Sequence, residues 1–321
     1  MNEPALPGDT AFTAQNSKGY GRENTFAGAL SFMRRRYTRN LDGVDVVVSG
    51  VPLDLATTNR PGTRFGPAGV RAASVGLNEP IYPWGFGPCD RLSVIDYGDC
   101  WFDAHRPDTI CAAIEAHART ILASGATMLT LGGDHFITYP LLKAQVEKLG
   151  RPVSLIHFDA HCDTWADDDP LSLNHGTMFY KAAREGLVVP QKSVQIGIRT
   201  WNEDFMGFNI LGADWVHANG VAATVSRALE IVGDHPVYVT FDIDCLDPAF
   251  APGTGTPVSG GLSSAQALAI LRGLLPAKVV GMDVVEVSPP YDHAEITALA
   301  GAHIAAEMLC LLAAQREQRG Q

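Results

Sequence analysis

The stretch VSLIHFDAHCDTW (153–165) passes from an apolar run directly into Asp159, His161 and Asp163, three metal-binding side chains at every second position. Such a run reads as a strand buried on both faces whose carboxyl end carries ionisable groups. Similar strand signals recur at VDVVVSGVP (44–52), LSVIDYGD (92–99), ATMLTLGGD (126–134), SVQIGIR (193–199), PVYVTFDID (236–244) and KVVGMDVVEV (278–287), with a weaker one at NILGADW (209–215). Between them lie amphipathic segments at 107–125, 137–150, 220–233 and 263–276, and another closes the chain from Glu295. Asp108 and Ser263 or Ser264 are the expected helix caps. The alternation predicts a three-layer α/β/α sandwich around a central, mostly parallel sheet of about eight strands. No repeat or linker divides it, so residues 26–321 read as one catalytic domain. The polar leader 1–25 is expected to be partly disordered or to contact a neighbour.

Composition narrows the function classes. With 46% hydrophobic and 18% charged residues the chain has ample material for a large core. A net charge of −11 weighs against nucleic acid or an anionic membrane as the main partner. The chain shows neither an uninterrupted apolar run of spanning length nor a signal-type start, so the expected location is cytoplasmic. Its six cysteines form no CxxC pair, which excludes a zinc knuckle and points to reduced thiols.

In a sheet of this type, ligands gather at the carboxyl ends of the strands. Asp134 and His135 follow one strand; Asp159, His161 and Asp163 end a second; Asp242 and Asp244 end a third; Glu286 ends a fourth. Strand alternation would put Asp159, His161 and Asp163 on one side and turn Cys162 away, and would likewise pair Asp242 with Asp244 against Cys245. With His135 this makes six candidate ligands. Four carboxylates without a nearby Lys or Arg need positive charge, and two divalent ions balance them. The oxygen-rich, thiolate-free set suits Mn²⁺ better than a structural Zn²⁺. His157 has the right parity but lies further back, as a supporting or packed histidine.

These residues carry a family resemblance. GGDH (132–135), DAHCD (159–163) and DIDCLDPAFAPGTGTP (242–257) resemble the three signatures of the ureohydrolase (arginase/agmatinase) family of binuclear manganese enzymes. The neighbourhoods HFDAHCDTW, NHGTMFYKA, SVQIGIRT and VVGMDVVEVSPPYD resemble its bacterial agmatinase branch most. The likeness runs from about Asp45 to about Leu311. It implies an arginase-like fold and hydrolysis of a guanidino compound to urea and an amine. One Mn²⁺ would be held by His135, Asp159, Asp163 and Asp242, and the other by Asp159, His161, Asp242 and Asp244. His175 matches the family's proton-shuttling histidine and Glu286 the carboxylate that receives the substrate guanidinium. Asp163 could also handle the proton of the nucleophile. Relatives are commonly trimers or hexamers, so a homo-oligomer is expected.

The substrate is expected to be a small cationic guanidine. The segment TWADDDPLSLN (164–174) holds Asp167, Asp168 and Asp169 and no base; overhanging the site, it would repel a carboxylate and attract a second positive charge, as in agmatine. A solvated loop tip is the plainer reading of the same acids. The alternatives are another guanidino substrate such as 4-guanidinobutyrate or arginine, a non-catalytic metal-binding regulator, and a single-zinc deacetylase. The loop TTNRPGTRFGP (57–67), with Asn59, Arg60, Gly62, Arg64 and Pro67, reads as a Pro/Gly turn before a helix and is given no chemistry.

Overall fold

The computed structural model describes residues 8–21, 23–77 and 80–320. Nine strands form one sheet: β1 (Arg36–Tyr37), β2 (Val46–Val51), β3 (Val94–Asp99), β4 (Thr127–Gly132), β5 (Ser154–Phe158), β6 (Val194–Ile196), β7 (Asn209–Leu211), β8 (Pro236–Asp242) and β9 (Lys278–Val285). Their order is β1-β3-β2-β4-β9-β8-β5-β6-β7, and every neighbouring pair is parallel. The strand beyond the expected eight is the two-residue β1, too short to leave an apolar pattern.

Helices among the described residues are α1 (Thr10–Thr13), α2 (Gly66–Ala73), α3 (Pro88–Arg91), α4 (Pro107–Ala123), α5 (Thr138–Leu149), α6 (Met178–Arg184), α7 (Ala213–Val232), α8 (Ser264–Gly273) and α9 (Ile296–Gln318). Residues of α4, α5 and α6 share one apolar core with one sheet face, and residues of α2, α7, α8 and α9 share another with the opposite face. The central strands β5 and β8 are buried at every position because both faces are covered. This is the three-layer sandwich.

One expected helix cap forms and another does not. Ser263 caps α8 through a reciprocal pair with Gln266, and Gly150 ends α5 in the left-handed region at φ 66°. Asp108 is not a cap: Arg106 holds that position, Pro107 opens α4, and Asp108 pairs with Arg106 in the first turn. By length and apolarity α9 would suffice to cross a membrane, which the uninterrupted-run criterion had missed; here 78% of its apolar window is buried inside the fold, as in a core helix.

Part of the leader lies outside the described residues, and the rest lies along its own chain. Glu23 accepts from the Asp9 and Thr10 backbones, Gly19 N–H donates to Cys89 O (2.8 Å), and Val94 N–H donates to Ser17 O (3.1 Å). The sheet order has the larger consequence for chemistry. The strands β4, β9, β8 and β5 stand side by side, so His135, Glu286, Asp242 and Asp159 emerge at adjacent carboxyl ends.

Candidate active site

The six expected ligands converge, but by turns rather than by strand alternation. Strand β5 stops at Phe158, and Asp163 takes the left-handed conformation at φ 53°. Asp242 is the last residue of β8, and a tight turn over Ile243–Cys245 brings Asp244 N–H back onto Asp242 Oδ1 (2.8 Å). Cys162 is nevertheless turned away, toward Thr164 and Asn202, and Cys245 toward Ile196 O.

His135 Nδ1 is buried and makes no hydrogen bond among the described residues, yet it faces three carboxylate oxygens: Asp159 Oδ2 and Asp163 Oδ2 at 3.0 Å and Asp242 Oδ2 at 3.2 Å. A nitrogen lone pair and three carboxylates aimed at one point form a cation site. A second group lies beside it, with His161 Nδ1 3.3 Å from Asp159 Oδ1 and 3.0 Å from Asp244 Oδ2. Asp159 thus presents one oxygen to each group. Asp242 presents Oδ2 to the first group, while its Oδ1 accepts from Asp244 N–H. His157, set aside as a ligand, donates through Nε2 to Asp159 Oδ2 at 2.7 Å and groups with the first site; Gln195 Nε2 donates to its other nitrogen at 3.0 Å.

Among protein groups alone this cluster is electrostatically strained. Burial and the neighbouring carboxylates raise Asp163 to about 7 and push Asp242 and Asp244 upward too. Burial also works against an ionised Asp159, but the histidines around it overcome this and hold it well below the usual range. Burial opposes charge on His161, while Asp244 and Asp159 lift it to about 12. Divalent ions would relieve all of these at once, and the donor set fits them.

Second-layer contacts hold the ligands. His135 Nε2 meets Thr240 Oγ1 at 2.8 Å, Ala160 N–H donates to Asp244 Oδ1 (3.0 Å), and Thr256 Oγ1 donates to Asp244 Oδ2 (3.1 Å). Arg199, just past β6, donates to the backbone oxygens of Asp244 in the third signature and of Val258 directly after it. Gly133 permits the close approach of another loop: a β-carbon there would lie 1.8 Å from Leu53 O.

Glu286 and His175 meet beside the ligands. Glu286, at φ 64°, accepts from His135 N–H (2.8 Å) through Oε1, which also lies 2.7 Å from His175 Nδ1; Oε2 is buried and unpaired among the described residues. Positive φ at a non-glycine residue costs about 1–3 kcal/mol and concentrates at functional sites. Burial works to lower the pKa of His175, but Glu286 outweighs it and the result is about 9. A donor on the other side pulls the opposite way: Thr58 N–H points at His175 Nε2 (3.1 Å). Sequence reasoning missed Thr58, whose loop looked like a plain turn.

A cavity of about 300 Å³ opens beside these groups, lined by Thr58, His161, Asp163, Trp165, Asn174, His175, Gly176, Thr177, Asp242 and Thr256; Glu286 lies buried behind the lining. No Lys or Arg is among them. Asp167, Asp168 and Asp169 are not among them either: Asp167 lies 3.5 Å from Lys181 Nζ and Asp168 accepts from Tyr180 OH (2.8 Å). The overhanging acidic patch is therefore not what forms the cavity wall.

Residues 44–310 match the arginase family profile. The chain belongs to the arginase family. An agmatinase of Chromobacterium violaceum is 65% identical over 313 residues, 97% of each chain. A crystal structure of a hypothetical agmatinase from Burkholderia thailandensis superposes with a TM-score of 0.96 at 66% identity, covering 98% of this chain and all of that one. The proclavaminate amidino hydrolase of Streptomyces clavuligerus follows at 0.87 and 39%, covering 91% and 100%. The paired His/Asp groups are thus the binuclear metal site of an arginase-family fold.

Proposed function

We propose that this chain hydrolyses agmatine to urea and putrescine with two Mn²⁺ ions. The observation that carries the reading is the agmatinase 65% identical across 97% of both chains, joined to the clustered His/Asp groups and to Asp242 beside them. The cavity is compatible with a cationic substrate, since its lining includes no Lys or Arg to pair with a carboxylate. Carboxylate and imidazole donors without thiolate favour Mn²⁺.

His135, Asp159, Asp163 and Asp242 would hold one ion, and His161, Asp159, Asp244 and Asp242 the other. When bound, the ions supply an activated water nucleophile and Lewis-acid stabilisation of developing charge. Glu286, with Oε2 unpaired, receives the guanidinium and fixes its carbon in line for attack. Asp163 takes up the proton released by the nucleophile. His175 delivers a proton to the departing amine, which a guanidine requires because an amide anion is too poor a leaving group.

The experiment is urea release from agmatine, arginine and 4-guanidinobutyrate by Mn²⁺-loaded protein, with metal analysis of the same sample. Preference for agmatine and two manganese ions per chain are expected. Preference for 4-guanidinobutyrate would overturn the substrate, and one zinc per chain would overturn the centre.

A further inference from the structure

We propose that Thr58 is a positioning residue for His175, a role that rests on the reading of His175 as proton carrier. Thr58 lines the cavity, and both its groups reach the same ring nitrogen: N–H lies 3.1 Å and Oγ1 2.8 Å from His175 Nε2. With Nδ1 2.7 Å from Glu286 Oε1, both nitrogens of the imidazole are held. The main chain is tied to the same loop, since His175 N–H donates to Ala56 O (3.1 Å) and Ala56 N–H to Asp134 Oδ2 (2.9 Å).

The loop is itself braced. Asp54 accepts from Gly62 N–H (3.0 Å) and Arg64 Nε (2.6 Å), and Asn59 Nδ2 donates to Gly255 O (3.3 Å) within the third signature. Thr58 is therefore presented from a fixed platform rather than a mobile turn.

The hydroxyl has a property that a methyl lacks. It donates to an unprotonated Nε2 and accepts from a protonated one, so the contact survives each gain and loss of a proton. The backbone N–H only donates and opposes a proton on Nε2. Together they keep the ring in one orientation through the cycle, and proton transfer depends steeply on such placement.

The test uses Mn²⁺-loaded Thr58→Val, Thr58→Ser, His175→Asn and the double variant Thr58→Val/His175→Asn. Loss of one hydrogen bond to the ring predicts a fall in kcat of about tenfold for Thr58→Val. KM and manganese content should stay at wild-type values, and Thr58→Ser should recover most of kcat. In the His175→Asn background, Thr58→Val should add nothing, because a residue acting through another has no separate effect. Unchanged kcat in Thr58→Val beside an impaired His175→Asn would overturn the role of Thr58 alone, as would a multiplicative double variant or an effect confined to KM. Full activity of His175→Asn would instead overturn the reading of His175.

Discussion

His175 Nδ1 lies 2.7 Å from Glu286 Oε1, although 111 residues separate the two in the chain. Glu286 is placed by the pairing of β9 with β4, so that its N–H reaches Gly133 O (2.9 Å) and its side chain accepts from His135 N–H, while His175 is placed by its own N–H on Ala56 O (3.1 Å). One carboxylate oxygen is spent on these donors and the other remains buried and unpaired. A buried acceptor of this kind needs a donor, and in the proposed function the substrate guanidinium supplies it.

Glu286→Gln keeps the shape and removes the charge. The charged hydrogen bond to a guanidinium contributes about 1.5–3 kcal/mol, so kcat/KM should fall roughly 10- to 150-fold with metal content unchanged. Steady-state kinetics and metal analysis on one preparation decide it; wild-type kcat/KM would remove Glu286 from the substrate site.

His175→Asn should lower kcat by about 10² to 10⁴, the usual range for a general acid, while both metals still bind. Among the described residues the His175 side chain is hydrogen-bonded to Glu286 and Thr58 and to none of the six ligands, so metal retention is part of the prediction. Loss of manganese in this variant would show that its role is structural.

Asp242→Ala should lose metal and activity together, since Asp242 Oδ2 is one of the three oxygens facing His135 Nδ1. Ligand binding adds RT ln(1 + [L]/Kd), about 2.7 kcal/mol at a hundredfold excess over Kd, so chelation should also lower the wild-type Tm. The same chelator should shift Asp242→Ala much less. An equal shift in both proteins would place the stabilising ions elsewhere.

Much of this was legible in the sequence, and what was not has a physical cause. Strand ends announced their charges because an apolar run leaves nothing else to explain Asp159 or Asp242. The order β4-β9-β8-β5 was not legible, since pairing of parallel strands distant in sequence leaves no local mark. Nor was the path of 159–163: alternation assumed a strand to Asp163, whereas the chain leaves the sheet after Phe158 and Asp163 turns through positive φ. Thr58 was hidden by its setting, for a hydroxyl in a Pro/Gly-rich turn has an ordinary explanation until His175 is seen beside it. Lys181 hid in the same way; it lies on α6, outside the acidic segment, yet it neutralises Asp167.

His117 gives a prediction away from the site. Ser49 Oγ donates to Gly98 O, which leaves it to accept from His117 Nε2 (2.6 Å), and the ring packs edge-on to Tyr97. Burial lowers its pKa to about 4, with Arg39 pushing the same way and Asp99 opposing. The unfolded chain takes the proton first, near 6.5, so this stability is present above pH 6.5 and is lost as pH falls toward 4. At about 1.4 kcal/mol per pH unit the loss is at most about 3.5 kcal/mol. Denaturant unfolding of wild type and His117→Gln between these limits should show a shallower pH slope in the variant, and equal slopes would refute the assignment.

The acids at 167–169 permit a sharper test of what selects the substrate. If they attracted the ammonium end of agmatine, their removal would raise KM. In the structure Asp168 accepts from Tyr180 OH, Asp169 is exposed, and neither lines the cavity. Charges exposed to solvent are weakened by physiological salt, whose Debye length is about 8 Å. Asp168→Asn/Asp169→Asn should therefore leave KM for agmatine within about twofold of wild type, with stability changed by less than about 0.5 kcal/mol. A tenfold rise in KM that disappears at high salt would return the acidic loop to a steering role, and with it the argument that charge rather than cavity shape chooses the guanidine.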